Sequence, residues 1–401
     1  MKRILSCLLS LLLLFSLISV SAAEAVTVTI DGVPVSYDRS SGVPFIDEND
    51  RTQVPLRRTM EFFGCDVSWN PLTRTAVVKK GKTRVSVPIG KNYIQVGKEK
   101  VPTDTAALIK EGRTYLPIRA VAEAFGAAVT WDAETQTVAI LTGESSVRVH
   151  FIDVGQGDAT LIDCGTTEVL IDGGSREAGP LVADYLRPYV DGKLEVLIAT
   201  HPDADHIGGL ASVLAAYDVG EVIDSGYPGT SWAYRNYWEA AQAERGCTVS
   251  YDSDRAIPLG DNASLTVIET GDDWDSANDS SVVCRLDCGS VRVLLTGDMS
   301  RDVEQARLRL FGDVTVLKAG HHGSASSTCQ EFLDVVRPEY AVISYGRNND
   351  YHHPAPSALR RLLNCGAAVY GTGKSGTVVL ATDGKRCCFN TADTLTMADA
   401  G

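Results

Sequence analysis

The sequence predicts an α/β fold preceded by a smaller α+β domain. From Val147 onward, short apolar segments recur and end in glycine or a polar cluster: TEVLIDGGS, LEVLIATHPDADH, VRVLLTGDMS, VTVLKAGHHGS and YAVISYG. Stretches with helical apolar spacing, such as GPLVADYLRPYV and SALRRLLNCG, lie between several of them. An α/β protein gathers a site in this way, from several strand ends on one edge. Before it, residues 51–78 and 113–140 repeat one pattern at an offset of 62, which marks a separate repeat domain.

The 401 residues suffice for two or three domains, and a hydrophobic content of 44% excludes a disordered chain. Met1 is followed by Lys2-Arg3, an apolar run and the small residues Ser21-Ala22-Ala23, with Ala23-Glu24-Ala25 as a second cleavage option. These predict a secretory signal peptide over residues 1–25, so the protein is expected to be exported. The run approaches the ~20 residues that span a bilayer, so an uncleaved anchor is the alternative. No later segment is long and apolar enough to span one, and no transmembrane channel is expected.

Within the repeat, Pro55/Pro117, Arg57/Arg119, Glu61/Glu123, Phe63/Phe125, Gly64/Gly126 and Trp69/Trp131 coincide. Each copy reads as an extended lead-in, a short amphipathic helix stopped at glycine, and a hairpin with alternating Thr and Val. The tryptophan of each copy is expected in the core. Over residues 26–143 the pattern resembles the copper amine oxidase N-terminal-like domain, a stalk module common in secreted bacterial proteins. The resemblance implies cell-surface or cell-wall contact and carries no oxidase chemistry, since the module has no histidine to hold copper.

The second domain is expected over residues 147–392, with 393–401 as a tail. Nine cysteines follow Cys7, an odd number without a CxxC pair, so no disulfide framework is predicted. Cys284 and Cys288 lie four apart on a predicted strand and are expected on one face of it, in the core. Charge divides unevenly: residues 144–401 carry 20 basic and 37 acidic side chains, a net −17, whereas residues 1–143 net +3. So acidic a domain argues against a strong nonspecific grip on a polyanion.

The chemistry concentrates in THPDADHIGG, residues 200–209. The apolar strand LEVLIAT precedes this segment, and IGGLASVLAAY begins a helix after it. His201, Asp203, Asp205 and His206 therefore sit on a strand-to-helix turn, which can point alternate side chains into one pocket. Histidine and carboxylate are the usual ligands of a hydrolytic metal. A solvated polar turn with a helix-capping Asp205 would leave two histidines and Asp203 unexplained. Six of the seven histidines fall in this turn or in LKAGHHGS and NDYHHP, and His150 is expected as a plain strand residue.

The turn resembles the HxHxDH signature of the metallo-β-lactamase fold, in an HxDxDH form with Asp203 at the variant position. Asp172 in LIDGGS, Asp298 in LLTGDMS, His321-His322 in LKAGHHGS and His353 in NDYHHP follow in the order of that superfamily. Together with FIDVGQGDATLI and NDSSVV they resemble, over residues 147–390, the C-terminal hydrolase domain of ComEC-type competence proteins. The resemblance implies an αββα sandwich and two divalent metal ions. His201 and Asp203 would bind the first, Asp205 and His206 the second, with Asp298 bridging. Asn278, or Asp279 beside it, stands where many relatives complete the first site with a histidine. An oxygen-rich first site keeps Mn2+ beside Zn2+ as the native metal.

The candidate catalytic residues are Asp205, His321, His322 and Lys318. By the order of motifs in nucleolytic relatives, His321 or His322 is the general acid and His353 the last ligand, with the reverse as the alternative. Lys318 is expected as a phosphate contact or a solvated strand end. Asp153, Gln156, Asp158 and Asp172 are expected to orient ligands from behind, with a turn-forming role the alternative for Asp158. The functional expectation is a secreted or surface-attached bacterial phosphodiesterase that cuts extracellular DNA or RNA. The acidic charge keeps a hydrolase of nucleotides or wall-derived phosphodiesters as a second reading. A non-catalytic surface-binding protein is the third, weakened by the nearly complete ligand set.

Overall fold

The computed structural model describes residues 26–142 and 147–401, apart from residues 134, 252, 261, 272, 273 and 392. The predicted signal peptide and the Ser145-Ser146 junction lie outside the described residues.

Successive strand residues point to opposite faces of a sheet. In Lys193–Ala199, Val196 and Ile198 accordingly enter one hydrophobic cluster, and Leu197 and Ala199 another. One sheet of eight strands runs in the order Thr248–Tyr251, Asp218–Asp224, Lys193–Ala199, Glu168–Ile171, Thr160–Asp163, Val147–Phe151, Val378–Thr382, Cys387–Phe389. A second sheet of seven runs Arg255–Pro258, Ala263–Ile268, Val283–Cys288, Val291–Leu295, Val316–Lys318, Tyr340–Ile343, Ala368–Gly371. Their facing sides enclose the central core, which includes Val149, Phe151, Ile198, Leu265, Leu286 and Val293. Helices Gly179–Leu186, Leu210–Leu214 and Trp232–Ala243 cover the outside of the first sheet through Leu186, Leu210 and Tyr237. Arg301–Ala306, Gln330–Val336 and Pro356–Asn364 cover the second through Val303, Phe332 and Leu359. The four layers form the expected αββα sandwich.

Each sheet contains a parallel run. Glu168–Ile171 pairs in parallel with Lys193–Ala199, and Val291–Leu295 with Val316–Lys318. Parallel pairing puts the following loops at one edge, which delivers Asp172, His201, Asp298 and His321 together.

Residues 26–142 form smaller sheets, and both repeat copies fold alike. Their lead-in strands, Thr52–Pro55 and Arg113–Pro117, pair antiparallel with each other. Helices Leu56–Phe62 and Ile118–Glu123 follow, then hairpins Asp66–Asn70/Thr75–Lys80 and Ala128–Asp132/Thr137–Leu141. The tryptophans depart from expectation. Trp69 is 39% exposed and Trp131 only partly buried, because each lies on an edge strand of its sheet.

The repeat module shares a core with the second domain. Val379 lies in the same cluster as Val28, Met60 and Ile140, with Ala381 and Cys388 packed against it. The buried Arg148 pairs with Asp31 at 2.6 Å and Asp163 at 3.6 Å, and Arg58 donates to Phe389 O at 2.7 Å. The predicted tail is also docked: Leu395 is buried, and its N–H donates to Val369 O at 2.6 Å. Cys284 and Cys288 lie in the central core, and among the described residues no disulfide is formed. Among the described residues no helix is long and apolar enough to cross a membrane.

Candidate metal centre

Strand Lys193–Ala199 is followed by Thr200, and a single helical turn, Ala204–Ile207, begins three residues after His201. Asp203 takes the N-cap position in extended backbone, so Asp205 is not the helix cap. This geometry buries the side chains of His201 and His206 completely while leaving Asp203 and Asp205 at 49% and 36% exposure. Two glycines permit the close packing behind the turn. A Cβ on Gly157, whose φ is +136°, would overlap Asp205 O, and one on Gly209 would overlap Gly173 O.

Asp298 is the shared element. Its Oδ1 lies 3.3 Å from His206 Nε2; its Oδ2 lies 3.5 Å from His322 Nε2, 3.6 Å from His321 Nε2 and 4.0 Å from His201 Nε2. Asp203 Oδ2 is 3.7 Å from His201 Nε2, and Asp205 Oδ2 is 3.3 Å from His322 Nε2. Asp298 thus stands between the pair His201 and Asp203 and the group Asp205, His206 and His322, with His321 also facing its Oδ2. Asp158, His206, Asp298 and His322 each offer a donor atom within 4.8 Å of the others.

Each of the four imidazoles has a polar neighbour at Nδ1. Asp172 Oδ2 lies 2.7 Å from His206 Nδ1, and Ser344 O lies 3.0 Å from His322 Nδ1. Thr200 Oγ1 and Ser281 Oγ lie 3.1 and 3.4 Å from His201 Nδ1, and Asn278 Nδ2 lies 3.4 Å from His321 Nδ1. Nε2 is thereby turned toward Asp298, the orientation that outer groups impose on metal-binding histidines. The loops carrying these groups are strained: Asp172, His321 and His322 have φ of 60°, 48° and 52°. Non-glycine residues adopt that region at a cost, and such outliers cluster at functional sites.

The electrostatics are those of a cation site. Burial opposes charge on His206 and His322. Only together do the carboxylates outweigh it, Asp298 with Asp172 at His206 and Asp298 with Asp158 at His322, raising His206 well above its usual value and His322 to about 9. Burial, with His206 beside it, pushes His201 down to about 3, leaving a neutral imidazole with a free lone pair. Burial and then Asp205 raise the carboxyl of Asp203. His201 Nε2 and Asp298 Oδ1 are buried without a hydrogen-bond partner, an arrangement that proteins ordinarily avoid. Unpaired donors among converging carboxylates fit divalent ions.

Several expectations need correction. His322 is buried among the donors, whereas the half-buried His353 stands outside, its ring 6.2 Å from that of His322 and its Nδ1 3.4 Å from Gln156 Nε2. His322 therefore stands among the donors, the position expected of His353. Asn278 supports His321 rather than replacing a ligand histidine. Lys318 is neither a phosphate contact nor a solvated strand end. It is 2% exposed, paired with Asp158, and donates to Gly297 O. Asp153 closes its own turn by accepting from Gly155 N at 3.1 Å. Asp172 lies against His206 Nδ1 and Asp158 Oδ1 lies 3.5 Å from His322 Nδ1, with Asp158 also among the four grouped donors. His150, on its strand, meets Tyr185 Oη through Nδ1 at 2.8 Å, and burial pushes it down to about 3. Thr200, Ser281 and Ser344 escaped sequence reasoning. The first two adjoin or belong to quoted motifs, but hydroxyls carry no ligand signal, and Ser344 acts through its backbone.

Residues 152–347 match the metallo-beta-lactamase superfamily and residues 29–140 the copper amine oxidase N-terminal domain. Over 236 residues the chain is 36% identical to Recombination protein 2 of Haemophilus influenzae, covering 58% of this chain and 28% of that protein. ComE operon protein 3 of Bacillus subtilis is 32% identical over 255 residues, covering 58% of this chain and 33% of that protein. The chain thus spans a third or less of the length of these relatives. Among solved structures, the metallo-beta-lactamase fold protein YhfI from Bacillus subtilis aligns with 58% of this chain and 98% of its own length, at 13% identity and a TM-score of 0.40.

Proposed function

With residues 152–347 a metallo-β-lactamase superfamily domain and residues 29–140 a copper amine oxidase N-terminal domain, we propose that the protein is an exported, two-metal phosphodiesterase acting on nucleic acid at the bacterial surface. The observation that carries this reading is the single carboxylate of Asp298 between two donor sets, one with Asp203 and one with Asp205. His201, Asp203, Asp298 and His321 would hold one ion, and Asp205, His206, Asp298 and His322 the other. Two divalent ions neutralise a phosphodiester and lower the pKa of a water at neutral pH. Oxygen donors in both sets keep Mn2+ beside Zn2+.

The chain's own residues supply the rest. Asp172, Ser344, Thr200 and Asn278 fix the imidazoles, so the site is ordered before substrate arrives. His353, whose Nδ1 lies 3.4 Å from Gln156 Nε2, would give a proton to the leaving oxygen. Burial, His322 and His321 hold its pKa down to about 4, and an anionic phosphodiester beside it would raise that value. The name of one relative, Recombination protein 2, favours DNA as substrate. The net −17 of residues 144–401 favours short or single-stranded chains over long duplex, and keeps nucleotide and wall-derived diesters as a second reading.

The test begins with the metal content of the purified protein. Single-stranded DNA, a nucleotide diester and a wall-derived phosphodiester are then assayed with Mn2+ or Zn2+. Asp298→Ala is expected to abolish turnover while the circular dichroism spectrum is kept. Full activity in that variant would sink the two-metal mechanism, and a metal-free protein that turns over none of the three would point to a binding protein.

A further inference from the structure

We propose that two exposed aromatic side chains, Tyr351 and Trp232, are stacking platforms for the nucleobases on either side of the scissile phosphodiester. The proposal rests on the phosphodiesterase reading and names how that site would grip its substrate. A domain with net charge −17 gains little from phosphate contacts away from the metals, so added affinity for a longer strand would come from a term that does not depend on charge. Stacking of bases on aromatic side chains is such a term, and it tolerates any sequence.

Tyr351 is 68% exposed and meets the centre through His353. Its ring stacks on His353 at 5.8 Å and an interplanar angle of 22°, and His353 is in turn 6.0 Å from His321 and 6.2 Å from His322. Asn349 Oδ1 accepts from the backbone N–H of both Tyr351 and His353, at 3.1 and 3.0 Å, so one side chain sets both rings. A ring fixed in advance loses little freedom on binding.

Trp232, 50% exposed, opens helix Trp232–Ala243, where Ser231 Oγ caps the first turn by accepting from Tyr234 N at 3.0 Å. The Arg176 guanidinium lies 4.6 Å from the centre of its ring. Arg176 belongs to the loop after Asp172, which is pressed onto the ligand turn. Gly209 N donates to Gly174 O at 3.0 Å, and a Cβ on Gly208 would lie 2.6 Å from Arg176 N. The indole is therefore tied to the metal turn through one loop. Phenol and indole faces match planar bases, whereas a poly(glycerol phosphate) strand has no ring to offer them.

The test compares KM of the metal-loaded protein for oligothymidylate with that for the same backbone carrying abasic residues. Wild type, Tyr351→Ala, Trp232→Ala and Tyr351→Phe are measured. Wild type is expected to prefer the base-bearing strand, and each alanine variant to lose about 5- to 100-fold of that preference. Tyr351→Phe is expected to keep it, because the ring face is unchanged. An unchanged preference in both alanine variants overturns the proposal, as does a wild type that favours poly(glycerol phosphate) over either oligomer. A wild type that cleaves no phosphodiester overturns the underlying reading instead.

Discussion

At the residue scale, His322 and His353 look alike in sequence and differ in everything that decides their chemistry. His322 is buried, with Nδ1 against Ser344 O and Nε2 facing Asp205 and Asp298, whereas His353 is half-buried at the rim. His322→Ala should therefore lose bound metal, read by elemental analysis. His353→Ala should keep the metal and lose about 10²- to 10⁴-fold in kcat on alkyl leaving groups. The loss should nearly vanish on a nitrophenyl diester, whose leaving group needs no proton; equal losses on both substrates would remove His353 as the acid. Lys318 makes a second case. Its ammonium is buried against Asp158, so Lys318→Met leaves a carboxylate uncompensated beside His322. That variant should lose about 3–5 kcal/mol of stability in a urea titration. A phosphate-contact role would instead raise KM at unchanged stability.

At the element scale, the site follows from parallel strands whose ends meet. The apolar runs LEVLIAT and VRVLL showed where those strands lie, and the polar clusters after them showed where side chains gather. Distances between clusters were not legible, because His206 and Asp298 stand 92 positions apart and only the packing of one sheet on the other joins them. The second-domain strands also carry an electrostatic fault. Glu168 is buried beside Glu195, Asp163 and Asp191; burial first, then those carboxylates, raise its pKa to about 7. A folded pKa above the unfolded value means no penalty below about pH 4.5 and a loss of stability as pH rises toward 7. Glu168→Gln should raise Tm at pH 8, by an amount corresponding to about 1–3 kcal/mol, and leave it unchanged near pH 4. Equal effects at both pH values would trace the change to packing.

At the scale of the whole molecule, the repeat module is not an independent stalk. Val379 from the second domain completes its core, and Arg148 holds Asp31 of the module and Asp163 of the second domain with a side chain only 10% exposed. Arg148→Ala sets two partly buried carboxylates against each other across the contact. The expected cost is about 3 kcal/mol, with earlier protease cleavage of both parts together. Cleavage of the module alone, with the second domain intact, would show that the two are uncoupled. This contact could not be read from the pattern of residues 51–140, because an alternating strand looks the same whether it faces solvent or a neighbouring domain.

Local chemistry determined what the sequence could say by itself. Strand-to-helix turns, ligand types and the repeat depend on neighbours within a dozen residues, so an α/β domain and the turn with His201, Asp203, Asp205 and His206 were legible, whereas the αββα order and Asp298 came from the resemblance to the metallo-β-lactamase fold. Tertiary structure decided what depends on distance and burial: that His321 rather than Asn278 faces Asp298, that His322 rather than His353 is enclosed, and that Lys318 is paired inside. Histidines adjacent in sequence carry no mark of which ring will be buried. Only the closing of one sheet over the other decides which of these rings are dry and which face solvent.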